Sequence, residues 1–176
     1  MAGIRELRIP ILPEEVDSLE VGEMITISGG VLAGRDAVLP KICALIEAGD
    51  LGSLSRFLRG GVVFHTAVSL AGVGPTSSNK IEIEGSFDVL SSVGVRMHLG
   101  KGSISSETVS ALARRHACFA VIPPVTALLG EKTRSSKVLA FPELGIEALH
   151  LLEAEGYPAI IAAVNGRSMF ESGTNG

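Results

Sequence analysis

Three short segments of this 176-residue chain combine glycines with a cation or with hydroxyls: GGVLAGRD (29–36), GVGPTSSNK (72–80) and GKGS (100–103). Glycine lets backbone N–H groups come close to a ligand, and a helix starting just afterwards turns its positive end toward the same place. Arg35, Lys80 and Lys101 would each add a full charge, Thr76, Ser77 and Ser78 would add hydroxyl donors, and Gly74 leaves the backbone bare beside them. Several separated cations fit a molecule with two carboxylates better than they fit a single phosphate. The plainer reading of each segment is also physical. A lysine in a glycine-rich turn is usually only solvated, Arg35 beside Asp36 can be a local ion pair, and Ser77 or Ser78 can cap a helix. Recurrence at three strand-to-helix junctions is what makes the pattern a candidate anion site.

Other chemistries fail on spacing. A phosphate-binding P-loop needs glycine at position 95, which is valine, and a hydroxyl after Lys101, which is followed by Gly102. GVGPTS lacks the third glycine of a dinucleotide fingerprint, and no GxSxG elbow is present. His65, His98, His116 and His150 are scattered, and Cys43 and Cys118 stand far apart, so no metal-ligand set is expected in this chain.

Composition narrows the partners. Fifteen basic residues against nineteen acidic ones give a net charge of −4, with no Lys/Arg stripe, which argues against nucleic acid. Arg114-Arg115-His116 reads as the polar end of a helix. No apolar run approaches the ~20 residues of a membrane span, no signal-peptide pattern opens the chain, and both cysteines sit in apolar surroundings that suit buried free thiols. A cytoplasmic protein is expected. The length suits one domain over 1–176, burying roughly 70% of the surface its unfolded form exposes.

The elements that must position these segments alternate. LRIPIL reads as a strand at a sheet edge because of Pro10, MITIS as a half-buried strand, and the stretch after Gly34-Arg35-Asp36 as a helix with Pro40 in its first turn. GVVFHTAVSL (61–70) reads as one continuous apolar strand; FDVLSSVGV reads as helix, RMHLG as strand, and SSETVSALARRHA as a helix capped by Ser105 or Ser106. CFAVI, KVLAF and AIIAAV read as strands, PPVTALLGE and ELGIEALHLLEAEG as helices, the latter ended by Gly156. The tail 166–176 is expected to fray. The whole predicts an α/β domain whose mixed sheet is flanked by helices.

At these same segments the chain resembles the beta subunit, or C-terminal swivelling domain, of the class I iron–sulfur fumarate hydratase and L-tartrate dehydratase family. The strings that carry the resemblance are RIPILPEEV, VGEMITISG, AGRD, GVVFH, GPTSS, GKG and ELGIEAL, in order along nearly the whole chain. The resemblance implies a swivelling β/β/α fold. It also implies a [4Fe–4S] cluster held by three cysteines of a separate alpha subunit, and reversible hydration of fumarate to L-malate or dehydration of a related hydroxy-dicarboxylate.

By motif position, the resemblance makes Arg35, Lys80 and Lys101 carboxylate-binding residues, with Gly74 and Ser77 beside them, and Thr76 the residue of proton abstraction. It further implies a hetero-oligomer with the cluster-bearing subunit, and a homodimer when isolated. Departures from the family pattern are Lys80 where an arginine is usual, Leu39 where a histidine is usual, and His65-Thr66-Ala67-Val68 for H-A-G-P. GKGSIS stands for G-K-G-G-M, GIEA for G-M-P-E-A, and VNGRS for A-H-G. They bear on substrate identity more than on fold, and leave a dicarboxylate-binding paralogue without activity as the alternative.

Overall fold

In the computed structural model, residues 3–66, 68–69, 72–73, 80–123 and 126–170 are described, with 68–69, 72–73, 80–83 and 126 described as backbone. Strand β1 (Arg5–Arg8) pairs parallel with the first half of β2 (Met24–Gly34), Leu7 opposite Ile27, and the short helix α1 (Pro13–Asp17) lies between them in sequence. Among the described residues β1 pairs only with β2, an edge position as expected, but the strand ends at Arg8, ahead of Pro10. Ile25 and Ile27 are fully buried and Met24 and Thr26 are not, as the alternation in MITIS requires. A bulge follows Ile27, where Gly29 adopts φ +121° and a Cβ would stand 2.9 Å from the Cβ of Ile9. Only glycine lets the two chains approach this closely there.

Helix α2 (Leu39–Ala48), with Pro40 in its first turn, and the short α3 (Ser55–Leu58) lead to β3 (Val62–His65). A hairpin of β4 (Val68–Ser69) and β5 (Gly72–Val73) precedes α4 (Lys80–Ser92). Then come β6 (Met97–Gly100), α5 (Ser106–Arg114) and β7 (Cys118–Val121). After α6 (Thr126–Glu131), the exposed strand β8 (Thr133–Ala140) and a 3-10 segment at Pro142–Glu147 lead into β9 (Leu149–Val164) and β10 (Arg167–Ser168).

β2, β3, β6 and β7 are parallel neighbours in that order, and β9 runs antiparallel to both β7 and β2. The pairings return to their starting strand, so five strands enclose one interior, filled by Phe64, Met97, Leu99, Leu152, Tyr157 and Ile161 among others. On the outside, α2 and α4 cover Leu32 and Val63, while α4 and α5 cover Phe119 and Ala162. Cover on both faces is why GVVF carries no polar alternation. The result is a mixed sheet with flanking helices, as predicted. No helix among the described residues is long and apolar enough to cross a membrane.

Three expectations are corrected. The strand expected over 61–70 ends at His65, and Val68–Ser69 pairs instead with Gly72–Val73 in a separate two-stranded sheet. ELGIEALHLLEAEG is not a helix: 3-10 structure ends at Glu147, Gly145 takes non-helical angles (φ 60°, ψ −123°), and a sixteen-residue strand begins at Leu149. Leu, Ala and Glu favour helix intrinsically, but Leu152 and Ala154 point inward and Glu153 and Glu155 outward, with β2 and β8 hydrogen-bonded on either side. Tertiary pairing overrides propensity here. Gly156, expected as a helix end, instead donates its N–H to Ser28 Oγ at 2.9 Å beside the β2 bulge. The tail does not fray from 166. Arg167 and Ser168 pair with Val164 and Ala163, and Phe170 packs 6.4 Å from Phe119; residues 171–176 lie outside those described.

Candidate functional site

Parallel pairing brings the carboxyl ends of four strands to one rim. Gly34 is opposite His65, Gly100 is opposite Val121, and the pairing of Phe64 with Leu99 sets His65 level with Gly100. Arg35 therefore leaves the sheet from β2 and Lys101 from β6, with β3 between them. Two strand spacings separate their backbones, about 10 Å. Ligands of α/β sheets bind beyond such ends.

At the first junction, a Cβ on Gly34 would fall 2.7 Å from Cγ1 of Val38, so glycine is what permits the tight passage from β2 into α2. The Arg35 carbonyl accepts from the N–H groups of Val38 (3.1 Å) and Leu39 (2.9 Å), which anchors the turn. The Arg35 side chain is 24% exposed, and its Nε lies 3.4 Å from Oε2 of Glu147. Glu147, at the end of the 3-10 segment, was not singled out from the sequence. No local spacing links it to Arg35; only the return of β9 beside β2 brings it there.

At the Lys101 junction the lysine is exposed, and Ser105 caps α5 by accepting from Thr108 N–H at 3.2 Å, as expected. Glu84 of α4 organises this turn. Its Oε1 accepts from Ser105 N (2.9 Å), Ser105 Oγ (2.9 Å) and Thr108 Oγ1 (2.5 Å). The helix that follows the GVGPTSSNK segment is thereby tied to the turn that carries Lys101. Glu84 too went unread, because its partners lie on another element.

Thr76, Gly74 and Ser77 lie outside the described residues, as does the Lys80 side chain; the Lys80 backbone opens α4. Of the predicted cations, Arg35 and Lys101 are brought to the same rim.

Between them, at the end of β3, stands His65. Its Nε2 is 3.0 Å from Nδ1 of His98, whose Nε2 is 2.9 Å from Ser91 Oγ, and Phe87 stacks on the His98 ring at 4.3 Å. Burial pushes the His65 pKa down to about 3; burial, then the neighbouring His65 ring, hold His98 well below its usual value. Both imidazoles are neutral at physiological pH.

The thiols do not make a cradle for an iron–sulfur cluster. Cys118 faces the strand-enclosed core and Cys43 sits on α2, and burial raises them to about 12 and about 11, the latter helped by Glu47. Cluster ligands must be thiolates, in threes or fours. Among the described residues no three His, Cys, Asp or Glu side chains group around a metal-sized position.

Residues 4–173 match the model of the family described as "Fumarase C-terminus". The chain is 27% identical over 158 residues to "Fumarate hydratase class I, anaerobic" of Escherichia coli strain K12, covering 84% of this chain and 28% of that protein. It is 24% identical over 169 residues to "Fumarate hydratase 2" of Leishmania major, covering 89% of this chain and 29% of that protein. "L(+)-tartrate dehydratase subunit beta" of Escherichia coli strain K12 is 24% identical over 167 residues, with 90% of this chain and 82% of that protein covered. The chain thus spans under a third of the two fumarate hydratases and most of the tartrate dehydratase subunit. A match from residue 4 to residue 173, on a sheet that brings Arg35 and Lys101 to one rim, places this chain in the fumarase C-terminal family.

Proposed function

We propose that this chain is the beta-type part of a hydro-lyase acting on a small dicarboxylate, with hydration of fumarate to L-malate as the first reading. The observation that carries it is the rim on which Arg35 and Lys101 flank the end of β3. Two cations about 10 Å apart at their backbones can converge on the two ends of a four-carbon diacid. Arg35 and Lys101 bind the carboxylates, and Lys80, Gly74 and Ser77 are assigned to the same grip by their places in GPTSSNK. Thr76 is assigned the proton next to a carboxylate. A threonine hydroxyl is a poor base unaided, so its activating group comes from outside this chain.

The [4Fe–4S] cluster of class I hydro-lyases supplies a Lewis-acidic iron. Since the thiols of this chain do not fit it, we assign the cluster to a cluster-bearing alpha subunit, and the working enzyme to a cytoplasmic hetero-oligomer. A second reading is L-tartrate dehydration, motivated by the 24% identity over 167 residues to the beta subunit of an L(+)-tartrate dehydratase.

The test is anaerobic co-expression with a partner carrying three cluster-ligating cysteines, followed by assays on fumarate, L-malate, mesaconate and tartrate. Hydration of fumarate that disappears on exposure to air is the expected result. Turnover of tartrate alone selects the second reading. Binding of dicarboxylates with no turnover of any of them makes the chain a non-catalytic paralogue and overturns both.

A further inference from the structure

Ser91, His98 and His65 form a hydrogen-bonded row that runs from α4 through β6 to the end of β3. Both ring nitrogens of His98 and one of His65 are used within it. The remaining atom, His65 Nδ1, is buried and has no hydrogen-bond partner among the described residues. Such an atom is rare in a folded protein and calls for a partner of its own. The two nitrogens of an imidazole face opposite sides of the ring. His98 is level with Val63, two residues before His65 on β3, and His65 Nε2 is turned back toward it. Nδ1 accordingly faces away from His98, and His65 is the last residue of β3, between the strands that carry Arg35 and Lys101.

We propose that His65 is a further substrate-contacting residue of this site, its Nδ1–H donating to a carboxylate oxygen directly or through one bridging water. The inference rests on the dicarboxylate reading above. The direction of the row suits it. Ser91 Oγ–H donates to His98 Nε2, His98 Nδ1–H donates to His65 Nε2, and the proton of His65 is then left on Nδ1. The opposite sense would turn a lone pair toward the anion, so a bound carboxylate selects the first. Ser91 and His98 are positioning residues: they set the tautomer and the ring orientation without touching the substrate.

The test is steady-state kinetics of the assembled enzyme on L-malate, with this chain wild type or carrying His65→Asn, His65→Gln or His65→Phe. An asparagine amide nitrogen stands near the Nδ1 position, and a glutamine amide nitrogen near Nε2. Asn is expected to keep KM within about threefold of wild type, whereas Gln and Phe raise it roughly tenfold or more with little change in kcat, the mark of a lost contact common to ground and transition states.

Wild-type KM in the Gln variant overturns the inference, because retention of the His98 bond alone is then sufficient. If the variants fail to fold or all raise KM alike, the wild type decides. The 15N resonance of His65 Nδ1 must move when saturating L-malate is added to the assembled enzyme, and a resonance that stays still overturns the inference. A wild-type enzyme with no dicarboxylate turnover removes both this inference and the hydro-lyase reading. An active wild type with an indifferent His65 removes this inference alone.

Discussion

The guanidinium of Arg35 and the carboxylate of Glu147 stand 3.4 Å apart at the rim, each about a quarter exposed. A substrate carboxylate arriving at Arg35 must share that cation with Glu147 or displace it. The pair is partly solvated, so its worth is small, roughly 0.2–1 kcal/mol. Removing the charge by Glu147→Gln is expected to lower KM for the dicarboxylate by up to about fivefold, with a steeper rise of KM with ionic strength because the site then carries one more net positive charge. A higher KM in that variant would mean that Glu147 holds Arg35 in its working posture rather than competing for it.

Glu84 is expected to matter for stability first and for the site second. Glu84→Ala strips Ser105 N–H, Ser105 Oγ and Thr108 Oγ1 of a shared acceptor. A loss of about 1–3 kcal/mol follows, and with it a fall in Tm of about 2–4 °C for each kcal/mol. Amide hydrogen exchange should speed up at the α5 cap and in the turn at 101–105 while the strand-enclosed core stays protected. Unchanged exchange there would show that the turn stands without α4.

Lys101 is exposed and close to the bulk solvent, so its substitution separates a ligand contact from a structural one. Lys101→Ala should leave Tm within about 2 °C, since surface changes rarely exceed about 0.5 kcal/mol. In the assembled enzyme it should raise KM by about tenfold or more through loss of a charge-assisted contact worth about 1.5–3 kcal/mol. An unaltered KM would leave Lys101 as a solvated turn residue.

The parts of this molecule that were legible in its sequence are those set by local chemistry. Glycine beside a cation at AGRD and GKGS marked two junctions that parallel pairing does bring to one rim, and Ser105 caps α5 as its spacing indicates. Closure of the strands was not legible, because the strand that completes it, β9, opens with LHLLEAE, a run of good helix formers. Its strand character comes from β2 and β8 on either side, which no window of sequence contains. Glu147, Glu84 and His98 were missed for the same reason: each is defined by a partner on another element. His98 also looked like one of four scattered histidines until β3 and β6 were set side by side.

The buried histidine pair sets a pH window for the fold. In the unfolded chain both imidazoles take a proton as pH falls below about 6.5. In the folded chain burial keeps His65 unprotonated down to about 3, and His98 is held down in the same direction. Between those values the unfolded state binds more protons, so stability is greatest above pH ~6.5 and is lost as pH falls through the window, by up to about 1.4 kcal/mol per pH unit for His65, with His98 adding in the same direction. Urea unfolding at pH 7, 6, 5 and 4 should therefore show a midpoint that moves steadily lower. His98→Leu lowers stability at every pH, since it strands Ser91 Oγ and His65 Nε2, but its diagnostic effect is on the slope. With one of the two groups gone, the loss of stability between pH 6 and pH 4 should become smaller. A variant that keeps the wild-type slope would show that His98 titrates alike in both states, and that the row from Ser91 to His65 is open to protons.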